Sequence, residues 1–185
     1  MEPSTKKRLL IGMVVAAGVL LLAAVVWYLA FVGQFAAYQD GTYGFTIKYP
    51  RSWQKAVHPQ PGAAVVFVSP KETALDAFQE NVNIAVADVP PELATLKSFS
   101  AKILEQMTKV FKNIKVVESR EVTFGGRRGY RVVFVADKPD AVTILNEWTI
   151  KGGDKSYILT YMAMTRQYKT YLPLVEEMIK SFHLK

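Results

Sequence analysis

The chain has 185 residues, half of them apolar and 12% aromatic, with 23 basic and 16 acidic side chains and a formal charge of +7. That apolar share excludes a disordered polypeptide, and the length suits one domain built on one core. The absence of cysteine excludes disulfides, thiolate metal sites, a cysteine nucleophile and the lipidated cysteine of a bacterial lipoprotein.

Residues 1–8 form a basic tail with Lys6, Lys7 and Arg8, and residues 9–32 carry no charge. As a helix those residues would extend roughly 36 Å at about 1.5 Å per residue, enough to cross a hydrocarbon core of about 30 Å with some tilt. Trp27 and Tyr28 near its far end suit the headgroup layer, and the preceding cations keep the N-terminus cytoplasmic. The pattern predicts a single-pass signal-anchor in the cell membrane, with the rest of the chain outside. A cleaved signal peptide fits less well, because the apolar run is long and Phe35-Ala36-Ala37 lacks the small residue that cleavage needs. A pilin-type N-terminus lacks its glycine-phenylalanine junction, and a domain of this size has no use for a buried helix so uniformly apolar.

Residues 33–42 read as a linker and residues 43–185 as the outer domain. Phe45, Ile47 and Tyr49 alternate with Thr46 and Lys48, predicting a half-buried strand stopped by Pro50, with Trp53 returned to the core. A second strand is expected over 63–68 and one or two helical turns over 71–80. A third strand over 82–89 is ended by Pro90-Pro91. From Ser98 to Asn113 the period changes: Phe99, Ile103, Leu104, Met107, Val110 and Phe111 mark an amphipathic helix with Ser98 or Ser100 as N-cap. Two hairpins follow, 116–124 with 130–136 across Gly125-Gly126-Arg127-Arg128-Gly129, and 142–150 with 156–164 across Lys151-Gly152-Gly153-Asp154-Lys155; glycine in both loops supplies the positive φ of such turns. A last helix spans Tyr168 to Phe182, starting or kinking at Pro173. Hairpin connections imply a largely antiparallel sheet that two helices can cover, an α+β domain.

Three patterns in this order resemble the PsbP-like superfamily: Tyr43-Gly44-Phe45-Thr46-Ile47-Lys48-Tyr49-Pro50 with Trp53, the glycine-centred hairpin Gly126 to Tyr130, and the closing run Tyr168 to Phe182. The resemblance covers roughly residues 38–184. It implies an α/β/α sandwich with a central antiparallel sheet flanked by helices, here preceded by one transmembrane helix. It also implies an accessory role of the kind played in the photosystem II oxygen-evolving complex, with calcium and a thylakoid membrane if the source is photosynthetic. The membrane anchor and the lack of a long N-terminal docking segment depart from the photosynthetic type. The matched positions are structural, so no functional residue is carried over.

No catalytic set is legible. His58 and His183 lack partners at metal-ligand spacing, Ser52, Ser69 and Ser98 lack a nucleophile elbow, and neither Gly-Gly loop opens a helix as a phosphate cradle must. Nothing reads as a cofactor site or a calcium loop. Charge is more informative: Lys97 to Arg131 holds nine basic and three acidic residues, whereas Lys71 to Glu92 holds five acidic and one basic. Lys102, Lys109, Lys112, Arg127 and Arg128 are the candidate partner-binding residues, facing a membrane-protein complex or an anionic envelope surface. Nucleic acid is not expected, since no stacking pattern accompanies the charge. Tyr157 and Tyr161 are candidates for lining a pocket. The expectation is a non-catalytic, membrane-anchored binding or assembly module; the alternative is an extracytoplasmic sensor of a small ligand or ion.

Overall fold

The computed structural model describes residues 13–14, 16–26, 33–60, 62–74, 76, 78–111, 113–136, 141–152 and 154–185. The chain divides into two units, one ending at Ala36 and the other running from Ala37 to Lys185. In the first, residues 16–26 are α-helical. Among the described residues no helix is long and apolar enough to cross a membrane, so the expected span over 9–32 is not found in them. Residues 9–12, 15 and 27–32 of that span lie outside the described residues, as do the topology residues Lys6, Lys7, Arg8, Trp27 and Tyr28.

The stretch read as a linker, 33–42, contains a strand, β1 (Phe35–Asp40), which joins β2 (Phe45–Pro50) and β10 (His183–Leu184) in a three-stranded sheet. The larger sheet has seven strands: β3 (Gln54–Gln60), β4 (Ala63–Val68), β5 (Asn81–Asp88), β6 (Ile114–Phe124), β7 (Arg127–Ala136), β8 (Val142–Lys151) and β9 (Lys155–Met164). Their order is β3-β4-β5-β9-β8-β7-β6, and every neighbouring pair is antiparallel. The fold is therefore mixed α and β around antiparallel sheets, as expected, although the sequence suggested neither β3 nor the second sheet. The helical turns expected over 71–80 do not form where that stretch is described; Asp76 instead ties the loop with its carboxylate, accepting from the backbone N–H groups of Glu72 and Phe78.

Helix α1 (Leu96–Val110) begins two residues earlier than its periodicity suggested. Its N-cap is Thr95, whose hydroxyl accepts from the Ser98 N–H at 3.1 Å, satisfying one of the orphan donors of the first turn. The helix lies on one face of the large sheet, where Phe99 joins Val132, Phe134, Ile144 and Trp148 in a buried cluster. Trp148 donates its indole N–H to the buried Ser100 hydroxyl at 2.9 Å, so Ser100 serves the core instead of capping the helix.

Helix α2 (Tyr168–Ser181) buries Val175, Met178 and Ile179 and contains Pro173 in its interior. The helix begins well before that proline, which leaves the Lys169 carbonyl without its usual intrahelical donor. Phe182, just beyond the helix, stacks on Phe124 with centroids 4.5 Å apart. The β6–β7 turn is Gly125-Gly126, with φ of +61° and +76°, left-handed values that glycine adopts at low cost. A Cβ at Gly129 would sit 2.6 Å from the Trp148 carbonyl oxygen; only glycine allows so close a strand approach.

One register row crosses all seven strands through Gln54, Val68, Asn81, Met162, Ile144, Phe134 and Val116. It marks one end of the sheet. The β6–β7 and β8–β9 turns mark the other, and the start of α1 lies with them.

Candidate functional site

The first turns of α1 face the β6–β7 hairpin across two adjoining cavities. One, of about 540 Å³, is lined by the apolar side chains of Leu96, Ala101, Leu104 and Tyr130 and by the charged Lys97, Glu121 and Arg128, with Thr95 and Ser100. The second, of about 520 Å³, shares Leu96 and Arg128 and extends over Gly126, Arg127 and Ile150. Both volumes lie within the range of about 300–1,000 Å³ usual for ligand sites. An apolar trough thus opens at one end onto Lys97, Arg127 and Arg128, with the Glu121 carboxylate beside them.

Sequence placed these parts without joining them. Arg127 and Arg128 are exposed at the hairpin tip, where a two-residue turn sends consecutive side chains to opposite sides of the ribbon. Arg128 pairs with Glu121 at 3.0 Å in an exposed ion pair, which holds it only loosely in water. Lys97, on the first turn of α1, was visible only as the start of the basic stretch. The Leu96 and Lys97 N–H groups precede the reach of intrahelical bonding and add partial positive charge at this end.

The other candidates fall elsewhere. Lys102 and Lys109 both bond Glu105, Lys102 at 3.0 Å, and these bonds, from Lys109 foremost and then Lys102, pull the Glu105 carboxyl down to about 2. They form an exposed ladder along the helix and do not line the trough. Lys112 lies outside the described residues. Tyr157 and Tyr161 line neither cavity. They are core residues, and their hydroxyls donate to the carbonyls of Tyr43 at 2.7 Å and Tyr168 at 3.0 Å. His58 adopts a positive φ of 48° on the edge strand β3, 3.8 Å from Asp40, and His183 is exposed on β10. Ser69 is buried and donates to Glu80 at 3.3 Å. Among the described residues no three His, Asp or Glu side chains converge as metal ligands.

A second charged cluster, which the sequence did not reveal, sits on the sheet face opposite α1. Arg131 on β7 bonds Glu147 on β8 and takes Glu176 of α2 bidentately at 2.8 and 3.0 Å. Glu147 is buried, its Oε2 lacks a hydrogen-bond partner, and burial holds its carboxyl above the usual range despite Arg131. One guanidinium shared by two carboxylates clamps α2 onto the sheet. It opens into neither cavity.

Among solved structures, the chain is similar to the cyanobacterial PsbP of Synechocystis, at 17% identity and a TM-score of 0.61, with 82% of this chain and 93% of that one covered. It is similar to LpqN of Mycobacterium tuberculosis, described as involved in cell envelope biogenesis, at 13% identity and a TM-score of 0.59, covering 82% and 91%. The yeast Ran-binding protein Mog1p also matches at 13% identity and a TM-score of 0.59, covering 81% and 95%. At such identities these likenesses establish the fold. Comparison with curated proteins finds no match. The PsbP family model matches residues 33–184, which is nearly the whole folded unit, and the chain therefore belongs to the PsbP family.

Proposed function

We propose that this protein is a non-catalytic PsbP-family module, held at a membrane by residues 9–32 with its domain outside, which grips an acidic segment of a membrane or envelope partner. The observation that carries the reading is the trough between α1 and the β6–β7 hairpin, an apolar floor ending in Lys97, Arg127 and Arg128. Such a surface suits an extended chain that inserts an aliphatic or aromatic side chain and places a carboxylate on the cations. Charge of this kind chiefly sets approach and register, while the buried contact sets dwell time. The relatives fit a binding role, one described as Ran-binding and another as serving envelope biogenesis. The tether rests on the 24 uncharged residues from Leu9 to Val32 behind a basic tail. The test is affinity purification of the full chain from gently solubilised membranes. A stoichiometric partner should co-purify, and Arg127→Glu with Arg128→Glu should release it while the fold stays intact. A clean monomer, or equal recovery from the charge-reversed chain, would refute the reading.

A further inference from the structure

The seven-stranded sheet ends in two edges of opposite character. At one, β3 carries His58 at a positive φ of 48° followed by Pro59, and its pairing with β4 shifts there. Proline cannot donate to a ladder, and an irregular edge resists a further strand. At the other, β6 runs 11 residues without a proline and pairs with β7 alone. Along such an edge alternate residues turn their N–H and C=O groups away from the sheet. Among the described residues of the folded unit, no loop or side chain bonds the outward backbone groups of β6. Most of its side chains are exposed, Val116 and Val117 among them.

An open edge accepts a partner strand, and the charges on β6 say which. Arg120 lies opposite Arg131 of β7, on the sheet face that carries α2, and Glu118 shares that face and pairs with Arg120 at 2.6 Å. Set a second β6 antiparallel to the first about a two-fold axis at Ser119. Glu118 then faces the second copy's Arg120, and Arg120 faces the second copy's Glu118. Side chains directly opposite in an antiparallel pair stand about 4.5–5.5 Å apart, so four charges of alternating sign form a ring. Other registers lose this. An axis at Glu118 sets that carboxylate against its own copy, and one at Arg120 or Glu121 does the same for those side chains. An axis at Val117 leaves both charges of the pair without an opposite. The register shift between Val116 and Glu118 bends the strand and confines straight pairing to residues 117–121 of each copy. A contact of one surface with itself closes at two copies.

We infer that β6 pairs with β6 of a second copy of this chain, antiparallel and centred on Ser119, joining two seven-stranded sheets into one. The axis stands perpendicular to the sheet, so α1 and its trough lie on the same face of the joined sheet in both copies. The chain has no cysteine, so single thiols report which positions meet. Ser119→Cys, in the full chain in mild detergent, sets two thiols across the axis with Cα atoms about 4.5–5.5 Å apart, a separation that a disulfide spans. Thr123→Cys, as control, stands roughly 27 Å from its counterpart, eight residues along the pair at 3.4 Å each. Oxidation at micromolar protein should link the Ser119→Cys chains in pairs and leave the Thr123→Cys chains single. Added to Ser119→Cys, either Glu118→Arg or Arg120→Glu should abolish the link, because all four charges then share one sign. Mixing those two variants, one with a longer tag, should restore it in the mixed pair alone. Equal linking at 119 and 123, a link that survives charge reversal, or no recovery on mixing would overturn the pairing. The mass of a single copy for the unsubstituted chain in sedimentation would overturn it as well. A two-copy mass without the link at 119 would assign the association to another surface and overturn this one.

Discussion

Replacing Arg131 with methionine tests the packing of α2 on the sheet. The arginine side chain is 10% exposed, Glu147 beneath it 1% and Glu176 29%. Methionine fills much of the same volume but leaves the Glu147 carboxylate with neither partner nor solvent. Removing one member of a buried ion pair costs about 3–5 kcal/mol. At roughly 2–4 °C per kcal/mol for a domain of this size, that lowers Tm on the order of 10 °C. The sign with pH follows from the direction of the Glu147 shift. A carboxyl raised in the fold contributes most stability below its unfolded value near 4.5, and loses it as pH rises through the higher folded value. Without Arg131 the carboxyl rises further, because the opposing cation is gone. The loss should therefore be larger at pH 7 than at pH 5. Urea denaturation of the full chain in detergent at both pH values measures it, with Arg131→Met/Glu147→Leu as the partner variant that recovers most of the loss. A single-variant cost below about 1 kcal/mol, or one independent of pH, would show that Arg131 does not hold a buried charge and would refute the reasoning.

Three further outcomes are expected. Ser100→Ala leaves the Trp148 indole N–H unsatisfied in the core and should cost about 1–3 kcal/mol by urea denaturation; an unchanged midpoint would mean another acceptor takes the bond. Gly129→Ala sets a Cβ 2.6 Å from the Trp148 carbonyl and 3.0 Å from Phe124 Cβ, so the β7–β8 backbone must move, and Tm should fall by several degrees, about as for other overpacked sites costing 1–3 kcal/mol. Glu105→Gln frees Lys102 and Lys109 on an exposed helix face; such pairs are largely screened by water, so the urea midpoint should stay unmoved, and a clear fall would mean that the ladder holds the helix.

Strands with one wet face and one packed face were readable from the chain, because burial writes itself as alternation: Phe45, Ile47 and Tyr49 in β2, or the paired runs of the two hairpins. Strand β3 was not, since all its residues are exposed. It belongs to the sheet through hydrogen bonds to β4 alone, and its His58-Pro59 irregularity is tolerated only because it lies at an edge. β1 hid for a related reason, with small residues in place of an apolar stripe. The start of α1 was set by a cap at Thr95, outside the periodic signal. The Arg131–Glu147–Glu176 clamp needed register: three residues of one basic-acidic mixture meet only once β7, β8 and α2 are aligned. The trough was half legible. Its arginines stood out as a charged hairpin tip, but Lys97 and the floor of Leu96, Ala101, Leu104 and Tyr130 join them only through packing of the helix over the hairpin.

The measurement that bears most directly on a binding module is site-specific photocrosslinking in native membranes. A benzophenone attached to Ala101→Cys, inside the trough, should yield one discrete adduct with a protein partner. The same label at Val57→Cys should yield none, and the Ala101 adduct should vanish when Arg127 and Arg128 are reversed to glutamate. Absence of an adduct at 101, or an adduct that survives charge reversal, would contradict the assignment of partner binding to the trough.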